Sequence, residues 1–374
     1  MGSTVYLSKT SNIDININVN VNSQKIKSVG DLLIVVEEIE KYLKKKNLLD
    51  KYEVYYRGQK EYKYKRKYKE VKEGEMPEYI LGNLNEEKDW YKPLPSVFRD
   101  KRKDKENMYY YEAIRRFPDR FMDITNHISY LSIMQHHQIP TRILDLTRNP
   151  LVALWFAALD EDAKYQGEGA FFIVLVPKVK NEGKYNEVKL IKNDTSDTVE
   201  FLASMAAMDE NHRKAIIKEA RRYMNDKDKT FLREKKIEEF NKTEAIEYLL
   251  HETRKYVHTF EPVIDPAHFF ELFAVDSNFL NARIRNQQGS FLIAGSEDVW
   301  KDTEKFDVID CKKIKPIYKL KLYLISDKVL AIAFPVPNLE ADVQVLKKEL
   351  RMLGITRASI YPELQQLGGE LEDI

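Results

Sequence analysis

Gln135-His136-His137-Gln138-Ile139-Pro140-Thr141-Arg142-Ile143-Leu144-Asp145-Leu146-Thr147-Arg148-Asn149-Pro150 packs two His, two Arg, an Asp, two Thr and two Pro together. The apolar run Leu151–Leu159 follows at once. Polar groups this dense beside a core segment must be paired, and any buried charge both paired and hydrogen-bonded. Asn149-Pro150 reads as a helix start, with Asn as cap and Pro at the first helical position. Asp145 and Thr147 are then placed on a short loop at a helix N-terminus, where backbone N–H groups attract anions. The same residues fit a plainer arrangement, in which Arg142 and Asp145 pair with each other and shape the loop.

The 374 residues allow one large or two ordinary domains. A chain of this size buries roughly 75% of its unfolded surface. Hydrophobic residues make up 43% and charged residues 32%, the balance of a globular protein in water. A net charge of +1 supplies no global basic field for nucleic acid. The single cysteine, Cys311, excludes a disulfide framework and a Cys-rich zinc site, and fits a reducing compartment. No signal-peptide pattern opens the chain and no apolar run is long enough to span a membrane, so a cytoplasmic location is expected.

Outward from the central stretch, Gly169–Pro177 is a near-continuous apolar run, read as a buried central strand. Tyr52–Gln59 is aromatic and β-branched, a strand that ends in Arg57-Gly58-Gln59. A Gly there lets a ligand or another backbone come close, and Arg57 offers a fixed fork of donors to an anion. Arg99, after Leu94-Pro95-Ser96, is a second candidate anion ligand. Residues 28–46 and 338–353 carry helical spacing, and 106–135 reads as helical throughout. Residues 13–22 alternate strictly between Ile/Val and Asp/Asn, a strand with one wet face that could pair with a second copy of the chain. Residues 60–76 are a solvated Lys/Glu/Tyr-rich segment. From 180 to 259 the chain turns Lys- and Glu-rich with helical periodicity, read as a helical insertion or lid. His212, His251 and His258 match no zinc spacing, and no metal is expected. Strands resume at 291–293, 314–324 and 329–335. The expected divisions are 1–49 (N-terminal strand and helix), 50–179 and 260–374 (the two parts of the core) and 180–259. The fold class is α+β, with a mixed, mostly antiparallel, split sheet and flanking helices.

Tyr56-Arg57-Gly58-Gln59, Leu94–Arg99, Gln135-His136-His137 with Pro140–Asp145, Asn149–Leu154, Arg283-Ile284 with Gln288–Phe291, and Leu353-Gly354-Ile355 with Tyr361–Leu364 together resemble the FRG domain, named for its Phe/Tyr-Arg-Gly motif. The resemblance covers about residues 50–365 and is weakest over 180–259. It implies a bacterial or phage setting, with toxin or anti-phage defence roles.

The order of motifs is also similar to that of ADP-ribosyltransferases. Arg57-Gly58 matches their first core strand. Asp145-Leu146-Thr147 stands where a Ser-Thr-Ser strand would, with Ala153 and Phe156 behind it. Phe171–Pro177 matches the apolar strand, and Gln288-Gly289-Ser290 stands at the catalytic Glu motif. The similarity implies NAD as substrate, without a metal. Arg57 would hold phosphate or ribose oxygens, the Gly58 backbone the nicotinamide amide and Thr147 its ribose, with Gln59, Arg99 and Arg142 as further binding residues. Gln288 replaces the usual Glu. Glutamine is no general base, so Asp145 or His137 would supply the acid–base function. Three readings stand: an ADP-ribosyltransferase-like enzyme or NAD-consuming toxin, a nucleotide- or protein-binding module of the same fold, and a nuclease-type enzyme using His136 and His137. The acceptor of any transfer, protein or nucleic acid, is left open.

Overall fold

The computed structural model describes residues 26–45, 47–60, 93–99, 102–158, 168–181, 187–225, 233–277, 282–301, 321–324, 330–337 and 340–362. The alternating stretch 13–22, the segment 61–76, Cys311 and residues 314–320 lie outside them.

The strands are β1 (Tyr52–Gln59), β2 (Leu144–Thr147), β3 (Glu168–Pro177), β4 (Val179–Asn181), β5 (Glu187–Lys189), β6 (Ile191–Asn193), β7 (Phe273–Asp276), β8 (Gly289–Ile293), β9 (Lys321–Leu324) and β10 (Leu330–Pro337). The helices are α1 (Val29–Lys45), α2 (Glu106–Arg116), α3 (His127–His136), α4 (Pro150–Ala158), α5 (Asp197–Ser204), α6 (Glu210–Asn225), α7 (Arg233–Asn241), α8 (Glu244–Thr253), α9 (Ala282–Asn286), α10 (Asp298–Lys301), α11 (Glu340–Met352) and α12 (Arg357–Ile360).

Eight strands form one sheet in the order β6-β7-β8-β2-β1-β3-β10-β9. Its pairs are antiparallel except β6 with β7, so the α+β class and the mixed, mostly antiparallel sheet hold. The apolar run at 170–176 follows from the place of β3 inside this sheet. Phe172, Val174 and Val176 enter the core on one face, and Phe171, Ile173 and Leu175 the core on the other. A strand covered on both faces has no wet side to alternate with. The first core is closed by α2, α3 and the helices from α5 to α8. The second is closed by α1, α4 and α11.

Two expectations change in detail. The helical stretch 106–135 is two helices, because Pro118 cannot continue α2 and a short 3-10 turn separates α2 from α3. Asp145 and Thr147 lie in β2 rather than on a loop, since Leu144–Thr147 is drawn into pairing with β8. The segment read as an insertion or lid holds β5 and β6 before its helices. Leu202, Ile216, Phe240 and Leu249 share one core with Phe273 and Leu292 of the sheet. No helix among the described residues is long and apolar enough to cross a membrane.

Helix α4 lies directly on β1 and β3. A Cβ on Gly58 would overlap the Ala153 carbonyl oxygen and come within 2.7 Å of the Ala157 nitrogen, and one on Gly169 would overlap the Ala157 carbonyl. Gly58 is therefore required by helix–strand contact. Gly58→Ala should lower stability by at least the roughly 1–3 kcal/mol of ordinary overpacking, because the colliding atoms are backbone and cannot rotate away. Thermal unfolding of the variant measures this.

His127 opens α3 and ties it to the helical layer. It is fully buried, with Nδ1 2.6 Å from Glu200 Oε1 and Nε2 3.7 Å from Glu252 Oε1. Its backbone N–H donates to the same Glu200 carboxylate. Burial alone would lower the imidazole pKa, but the hydrogen bond to Glu200 and the neighbouring Glu252 carboxylate outweigh it and raise the pKa above 6.5. A raised folded pKa contributes stability that is complete below the unfolded value and lost as pH rises through the folded one. Denaturant unfolding from pH 6 upward should show this decline in the wild type and a flatter profile in His127→Gln.

Candidate functional site

β1 bonds β3 along its whole length, and β2 bonds β8 along its whole length. Between them β1 and β2 pair at one position, Tyr56 opposite Thr147. Arg57, the next residue, reaches across this split, and its Nη1 donates to the Asp145 carbonyl oxygen at 2.8 Å. Its Nε is sealed from solvent and has no hydrogen-bond partner among the described residues. Burial lowers the Arg57 pKa to about 10, with Asp145 opposing the shift and the charge of Arg99 adding to it. The guanidinium is still charged at neutral pH. The split thus holds a half-satisfied cation beside one carboxylate and a second guanidinium.

A polar relay holds that carboxylate. Gln135, in the last turn of α3, donates from Nε2 to Asp145 Oδ2 at 2.8 Å. Its Oε1 accepts from the Thr141 hydroxyl. The Thr141 N–H donates to Ser96 Oγ at 3.0 Å, and its carbonyl accepts from the Val97 N–H at 3.1 Å. Arg99 closes the same turn by donating from Nε and Nη2 to the Leu94 carbonyl, at 3.0 and 2.7 Å. The motifs at 56–59, 94–99 and 135–145 therefore meet at one place.

His136 stands beside the relay. Arg283 of α9 donates from Nη1 to His136 Nδ1 at 2.9 Å and to the His136 carbonyl at 3.2 Å, and lies 4.2 Å from the centre of the Tyr361 ring. Burial, then the charges of Arg283, His137 and Arg120, push the His136 pKa down to about 4. A guanidinium only donates, so His136 is neutral at pH 7 with its proton on Nε2. His137 is exposed at the C-cap of α3, edge-on to His136 with centroids 4.5 Å apart.

The other residues singled out in the sequence lie elsewhere or serve the backbone. Arg142 is 1% exposed and enters the core, not the split. Its Nε and Nη2 hold both oxygens of Glu106 at 2.8 and 2.7 Å, so its partner is Glu106 rather than Asp145. Gly58 is covered by α4. The Thr147 hydroxyl donates to the Gln287 carbonyl at 2.6 Å and accepts from the Asn149 N–H at 3.0 Å. Asn149 Oδ1 in turn accepts from the Leu151 N–H, so the leading donors of α4 are engaged by its own cap. Gln288 is exposed and sits at φ +47°, turning the chain from α9 into β8, while its carbonyl accepts from the Arg148 N–H. Gln59 ends β1, partly buried. Among the described residues no group of His, Cys, Asp and Glu could hold a metal ion. Sequence reasoning gave no role to Gln135, Thr141, Ser96, Arg283 or Tyr361. All five stand in the motif stretches that resemble the FRG domain, and for Gln135 and Thr141 the crowding of polar residues around 135–145 was a second signal.

Residues 52–166 match the family described as the FRG domain, and the chain carries an FRG domain over that span. The span contains Arg57, Arg99, Gln135, Thr141 and Asp145; Arg283, Gln288 and Tyr361 lie beyond it. No curated protein and no solved structure matches the chain.

Without Arg142 the buried Glu106 carboxylate keeps Arg213 Nη1 at 3.6 Å, an incomplete replacement for a bidentate pair, so the cost approaches the roughly 3–5 kcal/mol of breaking a buried ion pair. Arg142→Ala should therefore lower unfolding free energy by about that amount, read by urea denaturation. Any loss of ligand binding in that variant should track its loss of folded protein.

Proposed function

We propose that the β1–β2 split binds NAD as substrate and that the chain is an ADP-ribosyltransferase-like enzyme or an NAD glycohydrolase. The observation that carries this reading is the junction of Arg57, Arg99 and Asp145, held by motifs from three separate stretches. The part of the half-buried Arg57 guanidinium that is not engaged by the Asp145 carbonyl suits a pyrophosphate or ribose oxygen. When the bond between nicotinamide and ribose C1′ breaks, its electron pair leaves with the nicotinamide nitrogen and positive charge builds on the ribose. A fixed carboxylate such as Asp145 stabilises that charge, and one preorganised contact of this kind is worth about 3–4 kcal/mol. The FRG resemblance joins this chemistry to a toxin or anti-phage effector that depletes or transfers from NAD.

A second reading, a binding module of the same fold, draws on the segment Gln287-Gln288-Gly289-Ser290, which offers amides where transferases of this pattern carry a glutamate. A nuclease built on His136 and His137 has less support, because the Nδ1 lone pair of His136 is taken by Arg283.

Purified protein incubated with NAD, with and without cell lysate, should release nicotinamide. Arg57→Ala and Asp145→Ala, shown to be folded, should each lower the rate about 100-fold or more, the scale of a lost preorganised charge contact. NAD or ADP-ribose bound through Arg57 without turnover would favour the binding module. Neither binding nor turnover would discard the NAD reading.

A further inference from the structure

We infer that Gln135 is the positioning residue of this site: with Thr141 it fixes the Asp145 carboxylate so that Oδ2 is held by protein and Oδ1 is kept for the ligand. The inference rests on the reading of Asp145 as the working carboxylate.

The direction of the relay is forced by its chemistry. An ionised carboxylate only accepts, so the Gln135 amide must turn its NH2 toward Asp145 Oδ2. Its carbonyl then faces Thr141, whose hydroxyl is obliged to donate. Thr141 cannot drift, because it is 1% exposed and its N–H and carbonyl are both bonded to the turn at Ser96–Val97. The far end of the relay is thus set by backbone. The near end is set by Arg57, which grips the carbonyl of the same Asp145 whose carboxylate Gln135 holds. Main chain and side chain of one residue are thus fixed by two different elements, β1 and α3. No hydrogen bond reaches Oδ1 from the described residues.

A carboxylate held at one oxygen and open at the other is arranged to take a proton along a set direction. In NAD hydrolysis the oxygen of water bonds to C1′, the C1′–nitrogen bond breaks, and its electron pair leaves with nicotinamide. The proton of the attacking water passes to Asp145 Oδ1. Gln135 touches neither substrate nor water in this scheme. It acts through Asp145, as a group whose loss misplaces the base without removing it.

Three variants test this: Gln135→Met, Thr141→Val and Thr141→Ser. Two readouts are taken, the substrate-free carboxyl carbon resonance of Asp145, assigned with Asp145→Asn, and the kcat and KM of nicotinamide release. Gln135→Met and Thr141→Val should shift the resonance and lower kcat about 10- to 100-fold with little change in KM, the scale of a misplaced catalytic group. Thr141→Ser keeps the hydroxyl and should restore both. A folded Gln135→Met protein with an unshifted resonance overturns the inference, whatever its turnover. A shifted resonance in a protein that never releases nicotinamide supports the positioning and discards only the NAD chemistry.

Discussion

One guanidinium closes a gap that the sheet itself leaves open. β1 and β2 share a single paired position, and the strands on their outer sides are fully bonded elsewhere. At such a split a backbone carbonyl loses its ladder partner, and a buried carbonyl without one is costly. Arg57 supplies that partner for Asp145. The bond is made by a side chain at a point where a backbone ladder would otherwise run. The sheet can thus run unbroken from β6 to β9 and still present polar chemistry at its centre.

The surroundings of the split are rigid for identifiable reasons. On one side α4 rests on the bare backbone of Gly58 and Gly169, an approach that no other residue type allows. On the other side α3 carries Gln135 and His136 at its C-terminal end and is pinned at its N-terminal end by Glu200 and Glu252 from α5 and α8. The helical layer is thereby joined to the site through the length of one ten-residue helix. A layer that shares a core with β7 and β8 serves as part of the frame.

Much of this frame was legible in the sequence because it depends on neighbours along the chain. The apolar run of β3, the Asn149 cap before Pro150 and the end of α11 before Gly354, at φ +77°, are local signals with local causes. The FRG motif series was legible too, since several of its short stretches meet at the split. What the sequence could not supply was partner choice over distance. Arg142 and Asp145 are three residues apart and opposite in charge, yet Arg142 is claimed by Glu106, 36 positions away. Strand alternation explains why: adjacent residues in β2 and its approach point to different faces, so closeness in sequence separates them in space. Gln135 escaped for the same reason in reverse, since the loop between α3 and β2 folds it back onto a residue ten positions on.

Arg57 and Arg142 place the same side chain in two settings, paired frame in one and proposed site in the other. Arg142 meets a carboxylate with Nε and Nη2 together, the geometry in which a guanidinium is satisfied and has nothing further to offer. Among the described residues Arg57 meets a carbonyl with Nη1, keeps a sealed Nε without a hydrogen-bond partner, and lies close enough to Arg99 that the second charge helps lower its pKa. A chain selected only for stability would pair such a cation or replace it, because each of these features costs free energy in the folded state. Natural proteins break such local rules chiefly at functional sites. The unsatisfied donor, the neighbouring like charge and the carboxylate held by one oxygen are three such breaks in one place. Under the proposed reading, a molecule that brings anionic oxygens to the arginines and a hydroxyl or water to Asp145 would offset the like charges and engage the carboxylate's second oxygen.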